Sequence, residues 1–361
     1  MRIILLLILF SILFLEKCSI SNQNITKKTN LDSLTLDISR GDVRMMFYNC
    51  ENLYDPFDDS LTKDGEFLPD GNKRWTYQKM QIKLRQICKV ITAVGGWQPP
   101  EVIGLCELEN RFVLEQLTRK TPLSKFGYQI IHKESPDQRG IDVGLLYLPE
   151  KFYPLHYQAI TIRFPFDTTR RTRDILYVKG HFFHKNDTVH IFVNHWPSRM
   201  GGQLESEEGR IFVAKKVRNI VDSILAKEAD AKIILMGDLN DYPVNKSVTD
   251  FLKAKTKFDS ISNNELYNLS YYLQEIKGIG SYKYNGEWGI LDQMIVSGGF
   301  FTAKNSLHLS VENANIFRAD FLLMNDENFV GMRPFRTYNG FKYLGGFSDH
   351  LPVYVDLFRK N

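Results

Sequence analysis

Eight short apolar runs, rich in β-branched residues, set the terms on which this chain can fold. They are "RMMFY" (44–48), "EVIGLC" (101–106), "VGLLYL" (143–148), "ILYVKG" (175–180), "VHIFV" (189–193), "KIILM" (232–236), "QMIVS" (293–297) and "PVYVDLF" (352–358). Their length and composition predict strands. Helical periodicity appears in two stretches between them. "RWTYQKMQIKLRQICKVITAV" (74–94) sets Leu84, Ile87, Cys88, Ile91 and Val94 on one stripe. "ESEEGRIFVAKKVRNIVDSILAK" (205–227) does so with Val213, Val217, Ile220 and Ile224, behind acids that suit a helix N-terminus. Many strands with few helices predict a layered α/β protein with large mixed sheets covered by helices. With 361 residues, 43% of them hydrophobic, the chain can bury a large core. No linker, low-complexity run or solenoid repeat interrupts residues 40 to 361, so one large domain over 41–361 is the expectation.

The N-terminus differs in kind. Met1 and Arg2 precede the apolar run "IILLLILFSILFL" (3–15), followed by Glu16, Lys17 and Cys18. A membrane span needs about 20 apolar residues, whereas a secretory core needs only about 7–15 behind a positive start. Residues 1–17 are therefore expected to be a signal peptide, and the polar stretch 18–40 a tether. "LEKC" (15–18) resembles a bacterial lipoprotein box, with Lys17 in place of the usual small residue. That resemblance implies export to the periplasm or cell envelope, with membrane contact through a lipid on Cys18.

The formal charge of +4 falls to +3 without residues 1–17, because two cations leave with one anion. This is mildly basic, and only "RFPFDTTRRTRDILYVKGHFFHK" (163–185) clusters positive charge as a nucleic-acid footprint would, or as a solvated loop does. Of the four cysteines, Cys50, Cys88 and Cys106 read as buried free thiols, with a Cys50–Cys106 disulfide open in an oxidising compartment. No zinc-type Cys/His spacing occurs.

Five strand runs end in the same kinds of residue: "FYNCEN" in Asn49 and Glu51, "GLCELEN" in Glu107 and Glu109, and "FVNHWPSR" in Asn194 and His195. "LMGDLND" supplies Asp238 and Asn240, and "GFSDHLPV" Asp349 and His350. One such end is an ordinary turn; five presenting only Asp, Glu, Asn and His point to a site. Side chains two apart on a strand share a face, so Asn49 with Glu51, and Asp238 with Asn240, are expected to point together. Hard oxygen ligands suit Mg²⁺, Mn²⁺ or Ca²⁺, and histidines beside them act as acids, bases or donors to phosphoryl charge.

With these motifs in this order, "GDLN" and "SDHLPV" above all, the chain resembles the endonuclease/exonuclease/phosphatase superfamily over about 42–358. The superfamily includes pancreatic deoxyribonuclease, abasic-site endonucleases, bacterial sphingomyelinases and inositol polyphosphate phosphatases. "NCENLYD", "SPDQRGIDVGLLY" and "NHWPSR" resemble an exported bacterial branch. The resemblance implies an α/β, four-layered sandwich of two mixed β-sheets flanked by helices, and a divalent-metal-dependent phosphoester hydrolase. By motif, Glu107, Asn49, Asp349 and Glu51 are implied as metal-site residues; Asp238 prepares the attacking water and Asn240 holds phosphate. His350, oriented by Asp292 of "ILDQMIVS", stabilises the pentacovalent phosphorus, and His195 serves phosphate or leaving group.

Two departures stand out: Glu109 where several relatives carry Lys or Arg, and Glu51 where abasic-site endonucleases carry Asp. Arg139 and Arg199 are the candidate substrate-binding replacements, with Arg333 and Arg336 behind them. The loops 55–73 and 329–347 are expected to rim the site. The expected substrate is a phosphodiester, nucleic acid first, then a lipid or sugar phosphate; the expected state is a monomer. No GxSxG elbow supports a serine hydrolase, and a lipid-tethered binding protein without activity is the remote alternative.

Overall fold

Each of the eight apolar runs forms a strand, and most continue through the polar residues that end them. From the N-terminus, β1 (Val43–Leu53), β2 (Val102–Leu108), β3 (Gln129–His132) and β4 (Asp142–Tyr147) build most of a first sheet. Next, β5 (Phe152–Ile160), β6 (Ile175–Phe182), β7 (Thr188–His195), β8 (Lys232–Asp238), β9 (Ala254–Lys255) and β10 (Leu266–Asn268) build most of a second. The hairpin β11 (Tyr282–Tyr284) and β12 (Glu287–Gly289) precedes β13 (Asp292–Ser297), which joins the second sheet. Then β14 (Leu307–His308) and β15 (Ala314–Ile316) join the first. The hairpins β16 (Leu323–Asn325) with β17 (Met332–Pro334) and β18 (Tyr338–Asn339) with β19 (Lys342–Tyr343) stand outside both, before β20 (Val353–Arg359) completes the first. This is a computed structural model, and it describes residues 40–96, 98–183, 188–303 and 306–359. The signal peptide, Cys18 and the tether up to residue 39 lie outside the described residues.

The strand orders are β14-β20-β1-β2-β4-β3, with β15 also on β20, and β5-β6-β7-β8-β13-β10-β9. Both sheets are mixed: β1 runs parallel to β2 and antiparallel to β20, and β7 runs parallel to β8, which is antiparallel to β13. They pack back to back. A Cβ on Gly104 of β2 would stand 2.6 Å from the Met236 sulfur and 3.2 Å from Val193 on the other sheet, so this crossing needs a residue without a side chain.

Helix α1 (Tyr77–Gly95) starts three residues later than its periodicity suggests, because Thr76 caps it by accepting from the Lys79 amide. Its stripe Leu84, Ile87, Cys88, Ile91 and Val94 is buried in the core of the first sheet. Helix α2 (Arg111–Lys120), capped by Asn110, joins that layer. Helix α3 (Gln203–Leu225) covers the second sheet, where Val213, Val217 and Val221 pack with Phe192, Ile233 and Leu235. Its buried stripe continues through Val221 and Leu225, with Ile220 and Ile224 at its margin, a small rotation from the expected face. Helix α4 (Leu269–Glu275) follows β10. The result is the four-layered α/β sandwich.

Strand β5 carries no strand pattern that the sequence shows, because Pro154 interrupts it and Leu155 to Gln158 are all exposed. It lies at a sheet edge, where a missing N–H is tolerated, and its register with β6 shifts between Pro154 and His156. Cys50, Cys88 and Cys106 are free and buried, and burial pushes the Cys50 thiol up to about 12. Among the described residues no helix is long and apolar enough to cross a membrane.

Candidate active site

The register of the sheets brings the polar strand ends together. His195 pairs with Asp238 across the parallel β7/β8 ladder, and Asp238 with Asp292 across β8/β13. Asn49 of β1 pairs with Cys106, next to Glu107. His350 sits just before β20, bridged to Tyr282 of β11. Three of these ends are kinked into the left-handed region without glycine: Glu51 at φ 49°, Glu107 at φ 56° and Asn240 at φ 52°. Such strain gathers where surrounding structure holds it in place for function.

The kinks break the even alternation expected from the sequence. The Asn49 amide donates to Asp238 Oδ2 (3.1 Å) and Glu107 Oε1 (3.4 Å), whereas the Glu51 carboxylate turns away to Arg336 Nε (3.2 Å) and the Thr337 amide (2.6 Å). Asp238 and Asn240 stay together in a turn, with Asp238 Oδ1 accepting the Asn240 N–H at 2.9 Å. The Asn240 side chain donates to the Trp196 carbonyl (3.0 Å), and Cys50 and Leu239 face the core as expected.

Acids and imidazoles cluster at the centre. Asp292 Oδ2 lies 2.7 Å from His350 Nδ1 and accepts from Ser281 Oγ at 2.6 Å. His350 Nε2 is 3.9 Å from Asp238 Oδ2, and His195 Nε2 approaches that same oxygen and Glu107 Oε1, both at 3.8 Å. Burial opposes charge on His350, but the adjacent Asp292 carboxylate overrides it and raises the imidazole well above its ordinary value. Burial, reinforced by Arg173 and Arg139, drives His195 well below. Burial also pushes Asp238 up to about 6, with His350 pulling back and Asp292 adding to the rise.

The other half of the site manages charge. Arg336 joins Glu51 to Asp349 (Arg336 to Asp349 Oδ2, 3.0 Å), and Lys83 stands 3.8 Å behind Glu51. Burial first, then Asp349, pushes the Glu51 carboxyl up, against Lys83 and Arg336. Both Glu51 oxygens are thus engaged within the protein. Glu107 and Asp349 are different: both carboxylates are partly open, at 17% and 22% side-chain exposure, and Glu107 Oε1 has only the long Asn49 contact and His195. Hard oxygens of this kind are the donors that Mg²⁺ or Ca²⁺ takes, and Glu107, with Asn49 beside it, and Asp349 are the carboxylates of the site that could offer them. The three groups Asp238, Asp292 and His350 lie within 4.8 Å of one another, with Asp292 and His350 already bonded to each other.

The two candidate substrate-binding arginines, Arg139 and Arg199, are each held by protein partners. Arg199 donates to the Asn240 carbonyl (2.7 Å), Asp241 and Asn245, and stacks on Tyr242, so it braces the Asn240 turn. Arg139 is held by Asp137 (3.6 Å), its carbonyl accepts from Tyr54, and its charge reaches His195. Arg173, missed in the sequence, is buried against Asp137 and the Trp196 carbonyl, and its charge acts on His195. Its only signal was the basic run 163–185, which does not say which arginine turns inward. Glu109 does not face phosphate: it accepts the Asp55 amide (2.6 Å) and anchors the 55–73 loop, where burial pushes it up to about 9. That loop and 329–347 meet, as Lys73 donates to the Gly340 carbonyl (2.6 Å), and with Glu51 they enclose a cavity of about 200 Å³.

The family model for the Endonuclease/Exonuclease/phosphatase family matches residues 44–359. No curated protein matches the chain. Among solved structures it is similar to the catalytic domain of human Nocturnin with a bound sulfate anion (TM-score 0.53, 17% identity, 88% of this chain and 94% of that one). It is also similar to D. rerio TDP2 complexed with a single-strand DNA product (TM-score 0.53, 15%, 87% and 98%). A Bacteroides thetaiotaomicron protein of the endonuclease/exonuclease/phosphatase family gives TM-score 0.52 at 16% identity, over 87% and 97%. At these identities the likenesses carry the fold, and the family model carries membership. Enzymes of this family hydrolyse phosphoester bonds and use divalent metals. With the two-sheet sandwich and the match across nearly all described residues, the chain belongs to the Endonuclease/Exonuclease/phosphatase family.

Proposed function

We propose that this protein is a divalent-metal-dependent phosphodiesterase, acting as an endonuclease outside the cytoplasm. The observation that carries the reading is the Asp292–His350–Asp238 cluster set beside the open carboxylates of Glu107 and Asp349. When bound, a divalent ion such as Mg²⁺ supplies Lewis-acid neutralisation of phosphoryl charge, held by Glu107, Asp349 and Asn49. Asp238 takes a proton from the attacking water, and Asn240, braced by Arg199, positions that water and the phosphate. His350, kept protonated by Asp292, donates to the phosphoryl oxygen on which charge grows. As the P–O bond to the leaving group breaks, His195, a neutral imidazole, hydrogen-bonds the departing oxygen, which takes up the proton that Asp238 received from water. Exposed Tyr284 (61%), Phe329 (45%) and Phe341 (67%) near the site suit base stacking, which favours a nucleic acid over a lipid or sugar phosphate.

The test offers purified protein single- and double-stranded DNA, RNA, sphingomyelin and bis(p-nitrophenyl) phosphate, with Mg²⁺, Mn²⁺ or chelator, beside Asp238→Asn. We expect nucleic-acid cleavage that chelator and the substitution both abolish. Hydrolysis surviving both sinks the mechanism, and no turnover of any substrate favours a binding protein. Export with a lipid on Cys18 belongs to the same proposal, supported by the N-terminal sequence, and predicts labelled palmitate incorporation that Cys18→Ala abolishes.

A further inference from the structure

We propose that a cavity beside the reaction centre, walled by Arg333, is a subsite for a second phosphate group on the substrate. The inference rests on the phosphoester reading above and narrows it: the preferred substrate carries a further phosphate near the one cleaved. The cavity holds about 190 Å³, and Asp349 and Arg336 form the wall it shares with the reaction centre. Among the other lining residues are Arg333 of β17, Lys283 of β11 with its partner Asp326, and the amides of Asn285, Asn328 and Asn339.

Charge accounting singles out Arg333. Lys283 is matched by Asp326 at 2.8 Å, and Arg336 is held by Glu51 and Asp349. Arg333 lines the same space with no carboxylate paired to it among the described residues, and its Nε and one terminal nitrogen are sheltered from solvent with no hydrogen-bond partner. Leaving sheltered guanidinium N–H groups unpaired is costly, and a planar fork of donors fits a phosphate in bidentate fashion. Asn285 and Asn339 offer further neutral donors to the same anion. The wall opposite is set by a turn at Asn285 and Gly286, both left-handed (φ 48° and 87°), where a Cβ on Gly286 would stand 2.9 Å from the Phe329 ring. The cavity therefore pairs one unmatched cation with amide donors, a step away from the site of cleavage.

Two measurements test this. Inorganic phosphate is titrated calorimetrically into the chelated full-length protein, as wild type, Arg333→Met, Arg333→Lys and Asn339→Asp. We expect Met at 333 to weaken phosphate about ten- to a hundredfold, Lys to retain part of the affinity, and the added carboxylate at 339 to weaken it similarly. Asn339→Asp lies on an outer hairpin and keeps the test open if position 333 does not tolerate Met. In the second measurement, kcat/KM is compared for the dinucleotides pTpT and TpT and the trinucleotide TpTpT, in wild type and Arg333→Met. Wild type should favour pTpT or TpTpT over TpT, the first indicating a terminal phosphate and the second a neighbouring diester, and the preference should collapse in the variant. No phosphate binding by wild type, unchanged affinity in the variants, or equal use of all three substrates overturns the subsite. If none of the three is cleaved, the activity reading fails while the phosphate titration still decides the subsite.

Discussion

His350 and His195 approach the same Asp238 oxygen from 3.9 and 3.8 Å, are both nearly fully buried, and are driven to opposite charge states. Burial alone disfavours the charged form of both. The difference lies in the atom beside each ring: Asp292 at 2.7 Å raises His350, while His195 Nδ1 is buried without a partner among the described residues and Arg173 and Arg139 lower it further. One cluster thereby holds a cationic donor and a neutral imidazole. Groups pushed apart in this way mark acid–base assignments.

The strongest way to break the comparison is Asp292→Asn. It keeps the shape and removes the charge that sustains the His350 cation, so kcat should fall on the order of a thousandfold. In ¹⁵N NMR of the chelated protein, the His350 ring should titrate at lower pH than in wild type. A His350 that stays protonated in the variant would show that Asp292 is not the cause. His195→Gln should cost less, roughly ten- to a hundredfold, and leave the alkaline limb of the pH–rate profile in place, because that limb belongs to His350.

The shared oxygen gives a third test. Hydrolysis needs Asp238 ionised, so activity should fall as pH drops through about 6. Its stability effect has the opposite sense: a carboxyl raised above its unfolded value favours the folded state below the unfolded pKa, and that contribution is lost as pH rises through about 6. Asp238→Asn should therefore abolish turnover yet stabilise the chelated protein at pH 7 by about 1–3 kcal/mol, read by urea unfolding. An unchanged or lower midpoint would refute the cost that burial places on the Asp238 charge. The smallest effect expected is that of Ser281→Ala, which removes one hydrogen bond from Asp292 and should lower kcat several-fold without moving His195.

How much of this was legible beforehand depends on the range of the interaction concerned. Strands, the two long helices and the polar strand ends were readable, because side-chain alternation and helical periodicity are local properties. Motif order then pointed to the family. The even alternation of Asn49 with Glu51 failed because a left-handed residue at Glu51, enforced by tertiary contacts, redirects its carboxylate. The arginines were indistinguishable in the sequence. Arg336 meets a glutamate 285 positions away, Arg199 braces a turn 41 positions on, Arg173 turns inward, and Arg333 is left with unpaired donors facing a cavity.

The amino-acid sequence by itself determined the strands, the identity of the acids, amides and histidines at their ends, and the two helices that cover the sheets. Only the tertiary structure decided which histidine is raised and which lowered, which carboxylates remain open, and which arginine keeps sheltered donors unpaired among the described residues. The physical reason is that propensity and patterning act between near neighbours along the chain. Ionisation and charge pairing depend instead on groups brought together from distant positions in a low-dielectric interior.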